Sequence, residues 1–229
     1  MYEAILFDLD DTLLDFSACE TEALRKAFTL AEIEVANDGV WSAIWKTYKA
    51  ISDRYWQQKQ NTGLSRQQVI EASLKDTFTV LKNNFSDSPR LAQIYWNTFC
   101  QTACLNPGVK QTIELLSNTY KLGVVTNGYT DSQKSRLKAS GLANYFQSVI
   151  VSESIGYRKP APEIFNIALD NLQVKPEVTL FVGDSITHDR QGAINAGIDF
   201  CHYDRRSTQI DSKYRITQIS QLIKIVRES

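Results

Sequence analysis

Short, almost wholly apolar runs recur along the chain at Ala4-Ile5-Leu6-Phe7, Leu122-Gly123-Val124-Val125, Val149-Ile150-Val151, Leu180-Phe181-Val182 and Ile198-Asp199-Phe200. Runs this short, with little polar alternation, predict strands buried on both faces. Polar or glycine-containing residues follow each one. From the second run onward, helical segments separate the strands: Asp131 to Ala139 closed by Gly141, Pro162 to Leu172, and Asp189 to Ala196 closed by Gly197. Alternation of this kind predicts an α/β fold, a Rossmann-like parallel sheet covered by helices.

The first two strands are separated by about ninety residues, where an ordinary strand-to-helix connection has ~2–6. The insert must therefore fold as a domain of its own. Its apolar positions repeat at three- or four-residue steps through Trp41, Trp45, Tyr48, Ile51 and Tyr55, and again through Leu91, Tyr95 and Phe99, which predicts helices. Ser65 with Gln68 forms a capping box after Asn61-Thr62-Gly63, so one helix ends and another starts there. The expected division is a core of residues 1–15 and 106–229 and an all-helical insert of residues 16–105. Asp15-Phe16 and Asn106-Pro107-Gly108 are the expected hinges. All four tryptophans, Trp41, Trp45, Trp56 and Trp96, fall in the insert. Aromatic stripes at helical spacing predict packing between helices, with one or two rings left to line a pocket.

Composition narrows the class. With 229 residues, 43% of them hydrophobic, and a formal net charge of −1, nothing recruits a nucleic-acid polymer by bulk charge. No window is apolar enough to span a membrane. The start, Met1-Tyr2-Glu3, lacks the basic and long apolar regions of a signal peptide. The cysteines, Cys19, Cys100, Cys104 and Cys201, are scattered and read as reduced thiols, so the expected location is cytoplasmic. Cys100 and Cys104 with His188 and His202 do not have zinc-motif spacing.

In an open parallel sheet, ligands bind beyond the carboxyl ends of the strands. Asp8-Leu9-Asp10-Asp11-Thr12 follows the first strand, Thr126-Asn127-Gly128 the second, and Gly183-Asp184-Ser185 with Asp189 the fourth. Arg158-Lys159-Pro160 follows the third by several residues. Singly, each is a common turn signal. Their conjunction, in order, marks one crevice holding several carboxylates and a lysine. Two like charges ~4 Å apart repel by about 4 kcal/mol at an effective dielectric near 20, so the cluster predicts a bound cation. Hard oxygen donors with no adjoining Cys favour Mg²⁺.

Asp8 and Asp10 are one residue apart as the chain leaves a strand, a spacing that turns both carboxylates to one side in extended backbone. Asp8, touching the metal, is placed to attack phosphorus. Asp10 is placed to protonate a leaving alcohol and then to deprotonate water. The Thr126 hydroxyl and the Asn127 N–H suit phosphoryl oxygens, and Lys159 offsets the phosphate and Asp8 charges. Asp189 has two open roles, binding the metal through water or orienting Lys159. His188 reads as a solvated loop residue, and Asp11 and Thr12 as shaping the loop.

These residues resemble the motifs of the haloacid dehalogenase superfamily of phosphatases: Asp-x-Asp-x-Thr, a Ser/Thr after strand two, a Lys, and Gly-Asp-x-x-x-Asp. The resemblance covers the whole core. It implies Asp8 as nucleophile, Asp10 as acid/base and as a metal ligand through its carbonyl, Thr126 and Lys159 on phosphate, and Asp184 on Mg²⁺, with Asp189 at the last acidic position. The insert looks like the helical cap of this superfamily's first cap type. Thr126-Asn127-Gly128 with Gln133, Arg136-Leu137, Glu153, Gly156 and Lys159-Pro160 is similar to the pyrimidine 5′-nucleotidase branch that clears non-canonical nucleotides. Gln133, Arg136 and Leu137 also fit an ordinary amphipathic helix.

The resulting expectation is a Mg²⁺-dependent hydrolase of small phosphate monoesters, with nucleoside 5′-monophosphates as substrates, working as a monomer or homodimer. A sugar-phosphate phosphatase or a phosphomutase would use the same machinery. A non-catalytic phosphate or nucleotide sensor is the rival from another class, since fold does not fix function.

Overall fold

A computed structural model describes residues 1–82, 85–205 and 212–228. The chain divides into two compact units, Met1–Cys19 with Cys100–Ser229, and Glu20–Phe99. In chain order the elements are β1 (Ala4–Phe7), α1 (Phe16–Leu30), α2 (Asp38–Thr62), α3 (Arg66–Val80), α4 (Ser88–Gln101), α5 (Val109–Leu116), β2 (Lys121–Thr126), α6 (Thr130–Ala139), β3 (Ser148–Val151), α7 (Ser152–Ile155), α8 (Pro162–Leu172), β4 (Thr179–Gly183), α9 (Gln191–Asn195), β5 (Asp199–Tyr203), β6 (Tyr214–Ile216) and α10 (Leu222–Glu228).

The first unit is built on a parallel sheet in the order β3-β2-β1-β4-β5-β6. This is the α/β fold that the run-and-helix alternation predicts. β1 is central, and its four residues are completely buried, as expected for a strand covered on both faces. The register sets Phe7 opposite Val124 on one side and Val182 on the other. Asp8, Thr126 and Gly183 therefore leave the sheet along the same carboxyl edge. Behind that edge, Leu6, Ile164, Phe165, Leu169 and Phe181 form the core under α8, with the Phe165 and Phe181 rings edge to face at 4.9 Å. Gly192 lies against the Phe165 ring, where a Cβ would collide.

Two features differ from the sequence expectation. The helix expected over 189–196 is instead a wide turn, Ile186–Arg190, followed by α9. Ser185 causes this: its carbonyl accepts from both Asp189 N (2.9 Å) and Arg190 N (3.0 Å), and its side chain accepts from His188 N. Such widened turns recur at functional sites, and this one turns Asp189 inward. β6 has no counterpart in the sequence pattern, because a three-residue edge strand leaves no periodicity to read.

Within the second unit, α2 ends at Gly63 in the left-handed conformation and α3 begins at a complete Ser65–Gln68 capping box, both as the sequence implies. Its core is aromatic. Phe28 meets Trp41 edge to face at 5.9 Å and stacks on Phe78 at 5.8 Å, while Tyr48 meets Tyr95 at 5.9 Å. Trp41 and Trp96 are buried, and Trp45 and Trp56 are half-buried. Among the described residues, no helix is long and apolar enough to cross a membrane.

Because Phe165 is completely buried between α8, β4 and Gly192, Phe165→Ala is expected to destabilise the protein by about 3–5 kcal/mol. Urea unfolding measures this. A loss below about 1 kcal/mol would mean that the core is not organised around this ring.

Candidate active site

β1 ends where its backbone meets the first carboxylate. Asp8 is 6% exposed, and its N–H donates to the Val182 carbonyl at 2.9 Å, so β4 fixes its position. Lys159 donates to Asp8 Oδ1 at 2.5 Å and pairs with Asp189 Oδ1 at 2.7 Å. Lys159 is itself held by Asn127, whose side-chain oxygen accepts from Lys159 N (2.9 Å) and whose amide donates to Lys159 O (3.0 Å). The Lys159–Pro160 peptide is cis. Asp189 also accepts from Ser185 N at 3.0 Å. Its carboxylate fills the space where a Gly183 Cβ would stand, so glycine is required there for close approach.

Asp8, Asp184 and Asp189 each offer a carboxylate oxygen within 4.8 Å of the others. Lys159 balances this negative charge incompletely, and the crowding shows in the titration of the group. Burial pushes the Asp8 carboxyl well above its ordinary range; Lys159 opposes this, and Asp189 and Asp184 add to it. Burial, then Asp189 and Asp11, push Asp184 up to about 7. For Lys159, burial disfavours the charged form, but Asp189 and Asp8 outweigh it and raise its pKa. An all-oxygen donor set that is short of positive charge fits a hard divalent cation.

At the carboxyl end of β2, one residue before the Asn127 that holds Lys159, the Thr126 hydroxyl is buried and has no hydrogen-bond partner among the described residues. A buried hydroxyl left open at the strand end suits an incoming oxygen. Thr12 Oγ1 lies 3.5 Å from Asp8 Oδ2, and Asn106 holds the Thr12 carbonyl at 2.9 Å. Asp11 takes a positive φ of 60°, and its side chain accepts from Phe16 N, so it shapes the loop.

The structure thus brings together Asp8, Thr126, Asn127, Lys159, Asp184 and Asp189. Asp10 is different. Extended backbone would carry its carboxylate to the same side as Asp8, but β1 stops at Phe7, and the Asp10 carboxylate lies outside the three-carboxylate group. Instead it accepts from Arg136 Nη1 (2.6 Å) and Gln133 Nε2 (2.8 Å), both on α6. Asn127 acts here through its side chain on Lys159, whereas the sequence singles out its N–H. His188 is exposed, with its ring on Ser185. Glu153 accepts from Thr130 N at 2.7 Å and so serves the start of α6, and Gly156 closes α7 at a φ of 75°. The Arg136–Asp10 contact is not readable from the sequence, where Gln133, Arg136 and Leu137 fit an ordinary amphipathic helix; the available signal is a long cation on its inward face, which requires a buried anionic partner.

The profile of the haloacid dehalogenase-like hydrolases matches residues 2–197. The chain is 33% identical to YfnB of Bacillus subtilis, a HAD-hydrolase by name, across 98% of this chain and 95% of YfnB. A crystal structure of YfnB bound to magnesium superposes with a TM-score of 0.80 at 32% identity, covering 98% of each chain. Identity to the pyrimidine 5′-nucleotidase PynA of Streptococcus pneumoniae is 31%, over 97% of this chain and 94% of PynA. Identity to a glyceraldehyde 3-phosphate phosphatase of Methanopyrus kandleri is 27%, over 100% and 98%. With its fold, its edge of carboxylates and this match, the chain is an enzyme belonging to the haloacid dehalogenase-like hydrolase family.

Proposed function

We propose that this enzyme is a Mg²⁺-dependent phosphate-monoester hydrolase that works through an aspartyl-phosphate on Asp8, with pyrimidine nucleoside 5′-monophosphates as preferred substrates. The observation that carries this reading is the buried Asp8 carboxylate, set against Lys159 and within 4.8 Å of Asp184 and Asp189. Asp8, Asp184, Asp189 and the Asp10 carbonyl would hold Mg²⁺. When bound, the ion neutralises the carboxylates and polarises a phosphoryl oxygen.

Asp8 attacks phosphorus with a carboxylate oxygen. As that bond forms, the bond from phosphorus to the ester oxygen breaks, and the proton of Asp10 passes to that oxygen, which leaves as the alcohol. Water then attacks phosphorus while giving its proton to Asp10, and Asp8 and inorganic phosphate are released. Lys159 and the open Thr126 hydroxyl bind phosphoryl oxygens, and Asn127 keeps Lys159 in place. Splitting the reaction into two steps suits phosphate monoesters, whose direct hydrolysis is among the slowest uncatalysed reactions.

We assign residues 16–105 as a helical cap and residues 1–15 and 106–229 as the catalytic core. The nucleotide preference draws on the likeness to PynA, on Gln133, Arg136, Glu153 and Gly156, and on the aromatic content of the insert, since aromatic rings can stack on a base. The likeness to the glyceraldehyde 3-phosphate phosphatase favours a second reading, a sugar-phosphate phosphatase.

The metal is tested through stability as well as rate. Asp184 is raised to about 7, so its contribution to metal-free stability is full below its unfolded pKa of about 3.9 and is lost as pH rises through about 7. In a chelator, Tm should fall between about pH 5.5 and pH 8, and millimolar Mg²⁺ should raise Tm more at the higher pH, where protons no longer compete for the carboxylates. Activity should vanish in the chelator and in Asp184→Asn. A Tm gain equal at both pH values, or full activity in chelator, contradicts the metal site.

The substrate is tested by kcat/KM at one Mg²⁺ concentration for uridine, thymidine, cytidine and purine monophosphates beside glucose, ribose and glycerol phosphates. Stacking on a base contributes ~1–3 kcal/mol, which predicts a preference for nucleotides over sugar phosphates of roughly tenfold to a hundredfold. A sugar phosphate that beats every nucleotide by about tenfold, or 1.4 kcal/mol, selects the second reading and leaves the Asp8 mechanism intact.

A further inference from the structure

Outside the group around Lys159, a second buried cation among the described residues of the first unit is aimed at a carboxylate of the site loop. Arg136 is completely buried, and its Nη1 donates to Asp10 Oδ1 at 2.6 Å. One turn earlier on the same face of α6, Gln133, 4% exposed, donates from Nε2 to Asp10 Oδ2 at 2.8 Å. Each Asp10 oxygen thus receives one donor, which fixes the plane of the carboxylate and its position along the loop. Each oxygen keeps a further lone pair for a proton.

The two donors are themselves immobilised. Arg136 Nε donates to the Thr102 carbonyl at 3.3 Å, the Cys19 thiol faces the guanidinium, and the Phe16 ring centre lies 5.8 Å from its carbon. Burial disfavours the guanidinium charge, and Asp10 outweighs that cost. Gln133 rests on Gly128, where any Cβ would collide with its side chain. The phosphate-binding turn Thr126-Asn127-Gly128 and the Asp10 clamp are therefore one continuous piece of chain, which turns from β2 into α6 and presents both.

Stability alone does not account for the clamp. Asp10 keeps 22% of its side chain exposed, whereas its partner Arg136 keeps none. A partly exposed carboxylate can be solvated by water and does not need a buried arginine. Two rigid donors on its two oxygens do what water cannot, which is to hold it in one orientation.

We propose that Gln133 and Arg136 are positioning residues that orient the Asp10 carboxyl for proton transfer to the leaving oxygen. The inference rests on the assignment of Asp10 as acid/base above. It predicts a dependence on the leaving group that simple misfolding does not produce. An alkoxide must be protonated as it departs, while p-nitrophenolate departs without a proton, and kcat/KM reports only the steps through that departure.

The experiment measures kcat/KM in the full-length enzyme for its best alkyl phosphate and for p-nitrophenyl phosphate, in wild type, Gln133→Met, Arg136→Lys and Asp10→Asn. General acid–base catalysis contributes ~10²–10⁴-fold, so losing its alignment should cost roughly 10–100-fold on the alkyl phosphate and less than about threefold on the aryl one. Asp10→Asn should show the same selectivity more strongly. Gln133→Met keeps the length of the side chain and removes the amide that donates to Asp10, so it carries the test alone if Arg136→Lys does not fold. Equal losses on both substrates in Gln133→Met, beside a selective loss in Asp10→Asn, overturn the positioning role and leave the acid/base assignment standing. An Asp10→Asn enzyme without selectivity overturns the assignment itself.

Discussion

The confinement of three carboxylates, Asp8, Asp184 and Asp189, around one buried lysine is the constraint on which the rest of this site depends. Like charges at this separation repel by several kcal/mol even when partly screened, so every neighbouring element is arranged to hold them together. The parallel register of β1 with β2 and β4 brings their ends to one edge. Gly183 has no side chain because Asp189 occupies that space, Asn127 grips the Lys159 backbone, and the widened turn after Ser185 aims Asp189 inward. Charge left over after Lys159 is what a divalent cation and a phosphate-transferring site would use.

Much of this is legible in the sequence because the sheet reads its ligands from fixed places. Once the apolar runs locate strand ends, the residues that follow them, Asp8, Thr126 and Asp184, must share an edge. Lys159 is harder to place, since it lies in a connection, and only its conjunction with the other motifs identified it. Asp189 had two readings, and its ion pair with Lys159 joins it to both the lysine and the carboxylate group. What the sequence could not disclose is pairing across long separations. The Arg136–Asp10 contact spans 126 residues, and the amphipathic pattern of α6 does not tell that its buried face carries Gln133 and Arg136. β6 failed to register for a different reason, its length.

The two aspartates of the first motif, one residue apart, therefore meet different counter-ions. Asp8 faces a compact ammonium that Asp189 shares, while Asp10 faces a planar guanidinium and an amide. Such a division suits two different tasks, because a nucleophile needs its charge balanced and an acid/base needs its orientation fixed. The spacing predicts both carboxylates on one side, but β1 ends at Phe7 and the Asp10 carboxylate pairs with Gln133 and Arg136 instead.

The central claim is that phosphate passes through Asp8, and the most direct measurement is to find it there. Enzyme mixed with Mg²⁺ and substrate, quenched in acid within the first turnovers and digested, should yield one phosphorylated peptide containing residues 8 to 12, with an acid-stable, alkali-labile acyl phosphate on Asp8 that is absent from Asp8→Asn. Phosphate found on any other residue, or an Asp8→Asn enzyme that still turns over, would contradict the account.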